Sequence, residues 1–378
     1  MRMKTLVIAA AILASGAAFA AKKEKAEEPV GRPAAVVAML NSSVSGSPSA
    51  YAKAVETVAE DAAAGCSMQK FVMALFNDEK SMPAKFKVPE SIRSEYYETS
   101  RPKIEELAEK NGNPLALYLL ALDTCDTNTL RRAAEGGNVQ AANAWGMALI
   151  SEVDGPLPDE SAQGTMKKAF AFFRDAAALG DANGLYNMGT CYARGLGVAQ
   201  DDKRAYECFK SAADKGHPQA VNNLGWCHLK GKGVKEDHTE AAKCFAKSAD
   251  MGNAEGQLNY ALALLSGDGV AINHRTAASL LLMSARQNNP DAINAYAVCI
   301  SKGRGVQRDP ALAAKWFRVA ADLEHPPAMD NLASCYELGE GVEKSEAKSV
   351  YWHMRSLATR GDAHATQWLK DHPTEPKK

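Results

Sequence analysis

Aromatic residues are scarce in this sequence, at 7%, and neither charge sign dominates: 44 Lys and Arg face 45 Asp and Glu, a formal net charge of −1. A nucleic-acid surface needs a basic stripe to neutralise phosphates, and a single-strand binder also needs rings on which bases stack. Both are missing, so no nucleic-acid partner is expected. Beyond residue 20 no apolar run approaches the ~20 residues that span a bilayer. There is no Cys-x-x-Cys pair and no His-Glu-x-x-His, so the sequence supports no metal site and implies no cofactor.

The first residues read as an export signal. Arg2 and Lys4 make a charged start, Leu6 to Leu13 an apolar run, and Ala18-Phe19-Ala20 a small-x-small cleavage site. That is a signal peptide over 1–20. No stable membrane insertion is expected after cleavage. Residues 21–49 hold Lys22-Lys23-Glu24-Lys25, Glu27-Glu28-Pro29 and Gly46-Ser47-Pro48, a composition that reads as a flexible linker. Asn41-Ser42-Ser43 fits a glycosylation acceptor in a eukaryotic host.

What is abundant is a beat. Gly195-Leu196-Gly197-Val198 recurs as Gly231-Lys232-Gly233-Val234, Gly267-Asp268-Gly269-Val270, Gly303-Arg304-Gly305-Val306 and Gly339-Glu340-Gly341-Val342, always 36 residues on. A fixed period in this range marks stacked supersecondary units. The Gly-x-Gly runs lack the spacing and the Lys-Ser/Thr ending of phosphate loops. In one unit, His217-Pro218 opens a helix A, with Pro where its missing N–H is harmless. Asn113-Pro114, Asn289-Pro290 and His325-Pro326 repeat the pair; Asp181 and Asn253 cap without Pro. Gly231 ends helix A in a left-handed C′ position. Asp237 opens helix B, as do Thr165, Asp201, Asn273, Asp309 and Ser345. Small residues (Gly146, Gly189 and Gly225 in helix A; Ala176-Ala177 and Ser248-Ala249 in helix B) mark close helix contacts. Phe173, Phe209, Phe245, Leu281 and Phe317 fill the space between.

The run Leu224-Gly225-Trp226-Cys227-His228-Leu229-Lys230-Gly231-Lys232-Gly233-Val234, followed by Asp237, Ala241, Phe245, Ala249 and Gly252, resembles the Sel1-like repeat, a subclass of tetratricopeptide-like hairpins. The resemblance implies an all-α, right-handed α-solenoid superhelix over 50–370, with clear repeats over 181–365 and degenerate units over 50–180. A longer loop, Ser151 to Gly164, interrupts the pattern; with Pro156 and Pro158 it is a secondary candidate for specificity. Trp368-Leu369 belongs to a terminal capping helix, and residues 371–378 read as a tail.

Four groups of residues carry candidate functions. Asn187, Asn223, Asn259 and Asn331 repeat at one helix-A position, with Ala295 interrupting. They either form an amide ladder that bonds the backbone of a bound peptide, or they bond the neighbouring helix. The pairs Cys191/Cys208 and Cys227/Cys244 each span 17 residues across the A–B turn. At ~1.5 Å per residue the partners of a pair lie at comparable heights in an antiparallel hairpin. Either two disulfides form, each contributing about 3 kcal/mol, or cysteine serves as a small buried filler. Cys299 opposite Trp316, and Cys335 with no cysteine opposite, fit the filler. His217 and His325 share a cap position, where an exposed capping residue is expected. Ser67-Met68-Gln69-Lys70 matches the Ser-x-x-Lys of penicillin-recognising enzymes, but Ser-Asp-Asn and Lys-Thr-Gly partners are absent.

Similarity to Sel1-like proteins implies a scaffold that binds another protein or peptide through helix-A residues of the concave face. The signal places it outside the cytoplasm, in a bacterial periplasm or secreted. The alternatives are a cell-envelope enzyme or β-lactam/peptidoglycan binder built on Ser67 and Lys70, or a secreted effector that binds a host protein.

Overall fold

The structure, a computed structural model, describes residues 90–151 and 160–376, together with residues 58, 59, 62, 71 and 72. The expected signal peptide and linker, Asn41, Cys66, Ser67, Lys70 and the Pro156/Pro158 stretch lie outside the described residues.

Sixteen helices and no strand occur among the described residues. The chain divides into two compact units, Met1–Lys235 and Glu236–Lys378. The first holds α1 (Glu90–Glu109), α2 (Pro114–Thr124), α3 (Thr127–Glu135), α4 (Val139–Ser151), α5 (Glu160–Ala178), α6 (Ala182–Arg194), α7 (Asp202–Asp214) and α8 (Pro218–Lys230). The second holds α9 (His238–Asp250), α10 (Ala254–Ser266), α11 (His274–Ala285), α12 (Pro290–Lys302), α13 (Pro310–Asp322), α14 (Pro326–Leu338), α15 (Glu346–Thr359) and α16 (Ala363–Asp371). Within each unit every helix packs on its neighbours in sequence. This is the all-α solenoid arrangement, in which a hairpin buries its apolar face only by stacking on the next.

The helices start and stop where their residues dictate. Asn113, Asp181, His217, Asn253, Asn289 and His325 all cap A helices, each side chain accepting a backbone N–H of the first turn. Asp201, Asp237, Asn273, Asp309 and Ser345 do the same for B helices. Thr165 does not: α5 begins at Glu160 and Thr165 lies inside it. The expected loop Ser151 to Gly164 is therefore shorter. A good cap residue marks a helix start only where no helical residues precede it.

The repeated glycines do two different jobs. Gly195, Gly231, Gly267, Gly303 and Gly339 close the A helices in left-handed conformation, φ 63 to 79°. The second glycine of each turn lies against backbone one repeat earlier. A Cβ on Gly197, Gly233, Gly269, Gly305 or Gly341 would collide with the carbonyl of Met166, Asp202, His238, His274 or Pro310 respectively, in every case 31 residues upstream. The sequence suggests a turn there; the structure adds a contact between repeats. Val198, Val234, Val270 and Val306 tuck into the adjoining cores as expected.

Core packing follows the small-against-large pattern. Phe173, Phe209, Phe245, Leu281 and Phe317 are all buried. Gly146 and Gly189 exist because the rings of Phe173 and Phe209 lie over them, so that a Cβ would come within 2.5 and 2.8 Å. In the last hairpin one core position differs: His353 occupies the position of Phe317 but is exposed, and Trp352 is buried instead, 1% exposed. The terminal helix is present as α16. Part of the expected tail is held, since Glu375 bonds Arg318.

Candidate functional site

The asparagine positions lie along the A helices, and the structure gives two of them partners on the preceding A helix. Asn187 Nδ2 donates to Asn143 Oδ1 at 3.4 Å, and Asn331 Nδ2 donates to Asn294 Oδ1 at 2.8 Å. Asn143 in turn donates to Asp181 Oδ1 at 2.6 Å. Asn187, Asn223 and Asn331 are half-buried, while Asn259 is buried. These bonds commit the amide nitrogens of Asn187 and Asn331 to the repeat stack.

Asp181 is the most constrained member of this seam. One oxygen also accepts the Gly184 N–H at 2.6 Å, while the other is buried with no partner. Burial pushes its carboxyl up to about 6, against the opposing pull of these hydrogen bonds. One repeat later the cap is His217, and here the expectation of an exposed cap fails. His217 and His325 are buried. Their Nδ1 atoms accept the N–H of Ala220 and Ala328, each at 3.2 Å. That fixes the tautomer: Nε2 carries the proton and donates to Asn183 Oδ1 at 3.1 Å in one case and to Asp291 Oδ1 at 3.0 Å in the other. Tyr186 stacks on His217 at 4.5 Å. Burial holds His217 down to about 4. These histidines join consecutive A helices.

None of the described cysteines considered for pairing, Cys191, Cys208, Cys227 and Cys244, is disulfide-bonded here, nor are Cys125, Cys299 and Cys335. Their surroundings explain this. Cys191 packs on Leu149, Ala169 and Phe173 of the preceding repeat, and Cys227 on Ala205 and Phe209. Cys208 instead lies beneath Gly189, where an added Cβ would meet its own at 3.1 Å. Comparable height along a hairpin does not make two side chains face each other. Burial pushes Cys191 up to about 12 and both Cys208 and Cys244 up to about 11.

Sequence reasoning missed the outward apolar residues and the grooves. Trp226 and Leu262 share one A-helix position and are 41% and 45% exposed. They stand one turn beyond Asn223 and Asn259. Large apolar residues at a repeat position held elsewhere by Thr190, Val298 and Ser334 were the available signal. In the last repeat a cavity of about 690 Å³ opens between α14 and α15, lined by Asp330, Ser334, Glu337, Lys344, Val350 and His353 among others. Asp330 is gripped by Arg360 at 2.6 Å, and His353 Nδ1 stands 3.3 Å from its other oxygen. Asp330, Ser334 and Glu337 belong to α14 and Val350 and His353 to α15, so the A and B helices of this hairpin wall the groove together.

Among the described residues no cluster of His, Cys, Asp and Glu could hold a metal ion, and no helix is long and apolar enough to cross a membrane. Ser67 and Lys70 lie outside the described residues.

The comparisons with known proteins agree with the geometry. No curated protein matches. Among solved structures, a Sel1 repeat protein from Oxalobacter formigenes is 25% identical, covering 55% of this chain and 84% of its own, with a TM-score of 0.49. A protective antigen of uropathogenic Escherichia coli strains with an SLR fold is 24% identical, covering 84% of this chain and 67% of its own, with a TM-score of 0.51. That second likeness concerns the fold. The Sel1 repeat model matches residues 166–181, 182–217, 218–253, 254–289, 290–325 and 326–355, just over half of the sequence. The chain belongs to the Sel1 repeat family.

Proposed function

We propose that this protein is an exported protein–protein interaction scaffold that works in a bacterial periplasm or after secretion, and that it holds a protein or peptide on its A-helix surface. Repeats of this family commonly mediate contacts between proteins and are generally non-enzymatic. The observation that carries the reading is the groove in the last repeat, where A helix α14 and B helix α15 line an open space of about 690 Å³. The buried Phe and Ala residues of the earlier B helices are spent on packing. The half-buried amides of Asn187 and Asn223, with the exposed Trp226 one turn beyond Asn223, offer hydrogen bonds beside apolar contact. Peptide recognition uses that combination. Export rests on Arg2, Lys4 and the apolar run to Ala20.

The test is affinity capture of the full chain from cross-linked native cells, with an Asn187→Ala/Asn223→Ala control. A partner lost in the control supports binding through the A-helix amides. A partner retained would move the contact to the loops or the degenerate units. Cell fractionation tests the location: an uncleaved cytoplasmic chain would overturn the export reading.

A further inference from the structure

The segment after α16 stays on the fold. His372 stacks on Trp368 with ring centres 4.1 Å apart, and Pro373-Thr374-Glu375-Pro376 follows. Trp368, His372, Pro373, Thr374 and Pro376, with Glu346 and Val350 of α15, wall a cavity of about 680 Å³. Glu375 accepts two hydrogen bonds from the Arg318 guanidinium of α13, at 3.2 and 2.6 Å. Its side chain keeps only 20% exposure. A glutamate outside regular structure ordinarily stays in water, so something specific draws this one in.

The residues around it account for that. Arg318 lies over the ring of Trp352 at 4.7 Å and pairs with Asp322 at 3.3 Å, which fixes the direction of its fork. Tyr336 stands beside this pair: burial first, and then the Glu375 charge, push its phenol up. The repeat itself does not require an arginine at this position. The same register holds Lys210, Ala246 and Leu282, and Arg174 there reaches only its neighbour Asp175. Pro373 and Pro376 restrict the backbone of the segment before it docks, so little freedom is lost on binding.

We propose that Arg318, Tyr336 and Trp352 form a receptor for a glutamate carried on an extended, proline-flanked peptide, that Glu375 fills it in cis, and that an acidic, proline-bearing peptide of a partner competes for it in trans. The site is separate from the A-helix amides and does not rest on the scaffold reading above. A short tether gives the cis segment an effective concentration in the millimolar range. A trans peptide therefore binds well only when the strap is weakened.

The experiment uses the full chain and, as probe, a fluorescein-labelled synthetic peptide of residues 371–378, with binding read by fluorescence anisotropy. Glu375→Gln removes the charge from the strap, and the probe should then bind at least about tenfold tighter than to the unaltered protein. Adding Arg318→Gln should reverse that gain. Adding Arg318→Lys, which keeps the charge but loses the fork, should reverse it in part. A probe with Gln in place of its Glu should bind weakly throughout. Circular dichroism checks that each variant is folded; if Arg318→Gln is not, Arg318→Lys alone decides. Equal affinity for the unaltered and Glu375→Gln proteins, absence of binding to Glu375→Gln, or binding indifferent to Arg318 would each overturn the proposal.

Discussion

Gly341 sits against the carbonyl of Pro310, 31 residues upstream, with no room between them for a side chain. Two residues earlier, Gly339 has the same left-handed backbone, but a Cβ there would meet Lys344 at an ordinary 3.4 Å. The two glycines should therefore respond differently to alanine. Gly339→Ala carries only the left-handed penalty, about 1 kcal/mol. Gly341→Ala adds a clash with rigid backbone and should cost about 3 kcal/mol or more. Urea denaturation of the two variants checks this; equal losses would mean the repeats separate freely at this contact.

The caps Asp181 and His217 impose opposite pH dependences. His217 is held neutral down to about 4, while in the unfolded chain it takes a proton near 6.5. Its linkage therefore lowers stability as pH falls from about 6.5 to 4. Asp181 keeps its proton up to about 6, while unfolded it ionises near 3.8. Its linkage lowers stability as pH rises from about 4 to 6. Asp181→Asn should thus stabilise the protein at pH 7, by up to about 3 kcal/mol at ~1.4 kcal/mol per pKa unit, and should have little effect at pH 4. His217→Asn keeps a cap and should flatten the acid limb. Urea melts between pH 4 and 8 give both slopes. A stability gain from Asp181→Asn confined to low pH would contradict the buried-carboxyl account.

Thiol reactivity separates packed cysteine from paired cysteine. With Cys191 near 12 and Cys208 and Cys244 near 11, thiolate is scarce at pH 8, so native alkylation should be slow and begin at the exposed Cys125. Denatured without reductant, the protein should titrate eight thiols. A count of four would mean that two bridges form; if peptide mapping placed them at Cys191–Cys208 and Cys227–Cys244, Cys191 would have to leave its place beside Phe173.

The repeat explains which of these features the sequence displayed. The beat of Gly-x-Gly-Val and the cap residues are local signals, so the A and B helices could be placed from them. Thr165 misled because a cap type inside a longer helix looks the same as one at its start. The burial of His217 and His325 was hidden because their partners, Asn183 and Asp291, stand 34 residues upstream. The burial of Trp352 beside an exposed His353 is a local exchange that the repeat pattern does not show. The Arg318–Glu375 pair joins residues 57 apart, one of them outside the repeat, and no periodicity could reveal it.

The degenerate unit supplies the last test. α2 lacks the Gly-x-Gly-Val turn and ends at Cys125, which takes the left-handed conformation, φ 53°, that every clear A helix gives to glycine. A side chain in that region is strained by about 1–2 kcal/mol. The Cys125 side chain is exposed, so removing it forfeits no core contact. Cys125→Gly should therefore raise stability by about 0.5–1 kcal/mol, the relief of strain outweighing the added freedom of the unfolded chain. Gly195→Cys, the reverse change at the end of α6, should lower it by about 1 kcal/mol. Urea melts of both variants measure the difference. A loss of stability in Cys125→Gly would show that the thiol contributes a contact exceeding the strain it carries.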